Sequence, residues 1–143
     1  MAGTVIHTIP DTMITKYYPT ERAAVSTWLS FRGGKVQEAI TTSIPAAAKA
    51  GAKALIVDVS NNVGVLSTSD MQFTTTTGAA LVDSHNFAAL VNVVGTDALT
   101  RIGSRKWKQS ASSGGRPTYE CSTVEDALAI AREIAADRVP QAA

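Results

Sequence analysis

The sequence predicts an α/β domain built on one mixed sheet of about four to six strands, with about four helices packed against it. Three observations carry that prediction. The first thirty residues alternate apolar and polar side chains of β-favouring types and are broken by prolines. Two apolar runs, Ala54 to Val59 and Phe87 to Val94, have the character of strands covered on both faces of a parallel sheet. Around them the apolar spacing changes to three and four residues, the period of amphipathic helices.

Taken in order, Val5 to Ile9 and Met13 to Tyr18 are expected as strands separated by Pro10-Asp11, and Ala23 to Leu29 follows the breaker Pro19-Thr20. A meander results. From Gly34 onward, Val36, Ile40, Ile44 and Ala47 fall on one helical stripe, closed by Ala50-Gly51 with the glycine as C-cap. Pro45 removes a donor and crowds the preceding turn, which predicts a kink or a fresh start near Ser43. Ala54 to Val59, interrupted only by Asp58, is expected at the centre of the sheet.

Asp70 to Val82 reads as the next helix, with Met71, Gly78, Leu81 and Val82 near one face. Its Thr74 to Thr77 tract is a poor helix former, because β-branched side chains lose χ1 freedom there. Phe87 to Val94 is the second buried strand; a helix from Asp97 towards Gln109 and a Ser/Gly loop, Ser110 to Gly115, follow it. Pro117 to Ser122 supplies the last strand. Thr123 to Ala136 is the clearest helix, with Val124, Ala127, Leu128, Ala131 and Ile134 on one stripe and Thr123 and Asp126 in capping positions. A single domain over 1–143 is expected, its core about 4–136 and its tail from 137 frayed.

Composition narrows the function. A net charge of +1, from 13 basic and 12 acidic residues with no like-charge block, gives no footprint for nucleic acid or an anionic membrane, so neither is expected as a partner. Cys121 is alone, cannot form an internal bridge, and reads as a small buried hydrophobe. No basic segment followed by an apolar run begins the chain, and no run approaches the roughly 18 apolar residues of a membrane span. A cytoplasmic protein is the expectation.

This order of elements, with Ile56 to Asp70 (IVDVSNNVGVLSTSD) in its middle, resembles the STAS fold of sulfate-transporter and anti-sigma-antagonist domains over about Thr4 to Ala136. Within that superfamily the chain is most similar to the SpoIIAA-like and Sec14-like branch, where a strand, a glycine turn and a tryptophan-bearing segment such as Gly103 to Lys108 precede the last strand. The resemblance implies a non-enzymatic regulatory module that binds a partner protein and is phosphorylated in an Asp-Ser-Ser-Gly type turn at the start of the second helix. Here the matching window is Leu66-Ser67-Thr68-Ser69-Asp70, with Leu66 in place of the acidic residue and Ser69-Asp70 in place of the glycine step. The same resemblance permits an alternative, a small protein that encloses a lipid or other apolar ligand.

Ser67 and Ser69, then Thr68, are therefore the candidate phosphoacceptors. A helix N-terminus offers unpaired N–H groups and partial positive charge to a phosphate, whose own charge of roughly −1.5 to −2 repels an acidic or apolar neighbour. The plainer reading is a cap, with Asp70 closing a Ser-x-x-Asp box from Ser67. Asp58 and Asp70 are candidate partner contacts, although Asp58 also suits a turn acceptor at the end of its strand. Arg105, Lys106 and Trp107, with Arg101 and Lys108, form a basic aromatic cluster fit for an acidic partner, or else a solvated helix face with Trp107 on the sheet edge. Trp28 reads as core.

His7 and His85 have no Cys or carboxylate at ligand spacing, and Gly33-Gly34 and Gly114-Gly115 lack the Lys-Ser/Thr of a phosphate loop. No metal, cofactor or catalytic set is expected. An uncovered strand edge at the N-terminus makes a homodimer a further candidate.

Overall fold

The computed structural model describes residues 3–94, 116–138 and 140. Six strands lie across one mixed sheet in their order along the chain: β1 (Thr4–Ile9), β2 (Met13–Tyr18), β3 (Ala23–Trp28), β4 (Ala54–Asp58), β5 (Ala89–Val93) and β6 (Thr118–Cys121). The first three pair antiparallel, and β3 to β6 pair parallel. The described helices are α1 (Val36–Ala50), α2 (Thr68–Phe73), α3 (Ala79–Ser84) and α4 (Val124–Ala135), with a π-turn, Thr74–Gly78, joining α2 to α3. The mixed sheet and its strands agree with the sequence expectation, while the expected helix from Asp97 and the Ser/Gly loop after it lie outside the described residues.

The turns are local chemistry. After Pro10, Asp11 takes φ 60° and Thr12 N–H donates to Ile9 O; after Pro19, Arg22 takes φ 50° and its N–H donates to Pro19 O. Gly51, at φ 98°, ends α1 and donates to Ala47 O and Ala48 O, a left-handed cap that a side chain would strain.

With a consistent crossover hand, the two described crossovers, β3 to β4 through α1 and β4 to β5 through α2 and α3, lie on one face. There α1, α3 and the sheet enclose a core of Trp28, Ile40, Ile44, Leu55, Val82 and Leu90. α4 closes the other face over Val25, Ile56, Val91 and Val93, and small residues on both sides, Ala127 and Ala131 against Ala23 and Ala54, leave room for close approach. Adjacent residues of β4 thus point into different cores, Leu55 into one and Ile56 into the other, which is why the strand has no polar alternation.

Two expectations need correction. Of the two outcomes expected at Pro45, the fresh start near Ser43 does not occur: α1 is one helix from Val36 to Ala50, because Ile40 and Ile44 before the proline and Ala47 after it bury into the same core and offset the missing hydrogen bond. The second helix begins at Thr68 and continues past Val82 to Ser84, its threonines accommodated by the π-turn, and Met71 stays only partly buried. At the end of the chain Asp137 pairs with Lys53 at 3.3 Å, Arg138 pairs with Glu133 and Pro140 is buried, while residues 139 and 141–143 of the expected tail lie outside the described residues.

Candidate functional site

All four parallel strands end at one edge of the sheet, β3 at Trp28, β4 at Asp58, β5 at Val93 and β6 at Cys121. Open α/β sheets bind ligands at such carboxyl edges, in the crevice where strand order reverses. No reversal occurs among the described strands, and the described part of this edge is formed by the loops after β3 and β4.

The loop after β4 begins with Asp58, whose Oδ1 accepts from Ser60 N–H at 3.0 Å and Ser60 Oγ–H at 2.6 Å. The residue is 6% exposed, and its carboxylate serves as the acceptor of this turn. Asn62 then donates through Nδ2 to Gly64 O at 3.1 Å. Val63 bridges Ser30, its N–H donating to Leu29 O at 3.1 Å while Phe31 N–H donates to Val63 O at 3.0 Å. These bonds lace the loop after β3 to the loop after β4. They also hold three large apolar side chains in solvent: Leu29, Val63 and Val65, at 38%, 49% and 55% exposure.

Between the two valines, Gly64 has φ 87°, and the Arg32 stem crosses it: a Cβ there would stand 3.0 Å from Arg32 Cγ and 3.2 Å from Nε. Arg32 is exposed, and its guanidinium meets no hydrogen-bond or ion-pair partner among the described residues.

Three residues beyond Gly64, Ser67 takes the N-cap of α2 with extended backbone and accepts from Asp70 N–H at 3.1 Å. The Asp70 carboxylate does not return to Ser67; it accepts from Gln37 Nε2 at 3.2 Å and so ties the first turn of α2 to that of α1. The expected capping box is therefore closed from one side only. Ser67, Thr68 and Ser69 are all exposed. Of the candidate residues the structure brings Ser67, Thr68, Ser69 and Asp70 together at this edge and puts Asp58 beneath them; Arg105, Lys106 and Trp107 lie outside the described residues.

Arg32, Val63 and Val65 were missed as site residues by reading the sequence. The available signal was Val63-Gly64-Val65 after a buried strand, apolar residues with no helical or strand partner pattern of their own.

Elsewhere the titratable groups have structural work. Burial pushes the Cys121 thiol above its ordinary value, with Asp126, Asp58 and Glu120 adding to the push against a hydrogen bond to Thr123 O. His7 Nε2 lies 2.7 Å from Thr42 Oγ1, which itself donates to Glu38 O, so the ring nitrogen is the donor that pins β1 to α1. No His, Cys, Asp and Glu cluster among the described residues could hold a metal ion. No described helix is long and apolar enough to cross a membrane. Among the described residues, the buried Asn62 Oδ1 and Asn92 Nδ2 have no hydrogen-bond partner.

Comparison with protein-family models, curated proteins and solved structures gives no match to this chain.

Proposed function

We propose that the chain is a non-enzymatic regulatory module of STAS type, which docks a partner protein at the carboxyl edge of its sheet and is switched by phosphorylation at the start of the second helix. One observation carries the reading: three exposed hydroxyls, Ser67, Thr68 and Ser69, stand at a helix start a few residues from the exposed Val63 and Val65. A phosphate there gains the N–H groups of the first turn and adds charge beside apolar surface, where it disfavours a bound partner. Ser67 already caps the helix, and a phosphate oxygen can accept the same Asp70 N–H.

The test is site mapping by mass spectrometry on protein purified from its own host, followed by partner binding of Ser67→Asp and Ser69→Asp. Phosphate on this window and weakened binding in at least one variant are expected. An unmodified window together with unchanged binding in both variants ends the proposal, and a co-purifying apolar small molecule in native mass spectra favours the ligand-enclosing alternative instead.

A further inference from the structure

The carboxyl edge has a chemical bias that the hydroxyl cluster does not explain. Its exposed apolar residues, Val63 and Val65, flank a glycine over which an arginine is laid. Arg32 is exposed and has no carboxylate partner among the described residues, so its guanidinium is free to pair with an incoming group. Lys35, three residues on, is exposed as well. The Asp70 carboxylate, at the start of α2, accepts from Gln37 rather than from Arg32. Gly64 has no side chain, which lets the Arg32 stem lie against the backbone between the two valines.

Resting on the reading of this edge as a docking face, we infer that Arg32, Val63 and Val65 receive an acidic segment of a partner protein, in which carboxylates pair with Arg32 and neighbouring apolar side chains cover the two valines. Charge complementarity selects the partner: a guanidinium binds a carboxylate through parallel N–H donors, and a basic segment meets repulsion from both Arg32 and Lys35. The regulation proposed above then has a physical route. Gly64 and Ser67 are three residues apart, at most about 10 Å between Cα atoms, and an acidic segment seated on this edge meets the added negative charge of a phosphate on Ser67.

The experiment measures fluorescence anisotropy of a labelled peptide of alternating Glu and Leu, against the same peptide with Lys for Glu, on the full chain. The acidic peptide is expected to bind at least about tenfold tighter than the basic one, to lose about tenfold in affinity with Arg32→Gln, and to weaken with Val65→Ser and with added salt. Both side chains are exposed, so circular dichroism should show both variants folded. Equal binding of the two peptides, or indifference to Arg32→Gln, overturns the inference, as does preferential binding to phosphatidylglycerol vesicles. Protein carrying phosphoserine at 67 separates the two readings. Arg32-dependent binding that ignores the phosphate upholds the acidic-segment surface and removes the switch, whereas a partner released by phosphate but unaffected by Arg32→Gln does the reverse.

Discussion

At the scale of single residues, Gly64 and Ser67 shape the carboxyl edge through backbone geometry. Gly64→Ala must hold a Cβ at φ 87° and displace the Arg32 stem, so it should cost about 1–2 kcal/mol in urea denaturation. Arg32→Gly in the same background relieves only the contact and leaves the backbone strain, which separates the two causes. Ser67→Ala removes the acceptor for Asp70 N–H and should cost about 0.5–2 kcal/mol, while Ser67→Asp keeps an acceptor and should cost less. Cys121 gives a pH dependence whose sign is fixed by burial: its folded value is raised above 9.0, so the native state keeps a proton that the unfolded chain gives up. Its contribution is constant below about pH 9 and is lost as pH rises beyond it. Cys121→Ala should flatten that part of the stability profile, and thiol labelling of the native protein should be slow until denaturant is added.

The elements show where local propensity was overruled. Pro45 predicts an interruption, yet α1 continues because its buried stripe on both sides of the proline enters one core. The missing hydrogen bond remains a cost, so Pro45→Ala should raise the urea midpoint, by at most about 3 kcal/mol of stability. The threonine tract has a different outcome. Thr74, Thr75 and Thr76 donate to the carbonyls of Asp70, Met71 and Gln72, four residues back, and the chain widens there into a π-turn. Thr77 is exposed, and Thr77→Ala should stabilise the helix by about 0.5 kcal/mol. Poor helix propensity was legible in these threonines; the π-turn was not, because it depends on how Gly78, Ala79 and Val82 seat against the core. Strands and helix caps were read well, since Gly51, Ser67 and Thr123 act through neighbours a few residues away.

Over the whole molecule, two cores share one sheet, and β4 belongs to both. Leu55 is 1% exposed on the α1 side and Ile56 is 0% on the α4 side, so Leu55→Ala and Ile56→Ala should each cost about 2–5 kcal/mol. Their effects should fall short of additivity, as both act on the same strand; a double variant measures the difference. The Arg132–Glu21 pair at 3.0 Å links α4 to the turn before β3, but Arg132 is 57% exposed and Arg132→Gln should change stability by less than about 1 kcal/mol.

The candidate site was half legible on this scale. Ser67 to Asp70 stood out as a cap pattern next to a buried strand, whereas the pairing of Val63 with Ser30 and the lie of Arg32 over Gly64 join loops some thirty residues apart. Apolar periodicity and turn residues determined the strands, the helix ends and the burial of β4 and β5, because each rests on interactions within a few positions of chain. Only the tertiary structure decided that Asp58 serves an internal turn, that Asp70 reaches Gln37 across to α1, and that the Arg32 stem lies over Gly64 with no carboxylate partner among the described residues. Those three facts depend on which loops meet at the end of the sheet, and loop meetings follow from the packing of distant segments rather than from local preference.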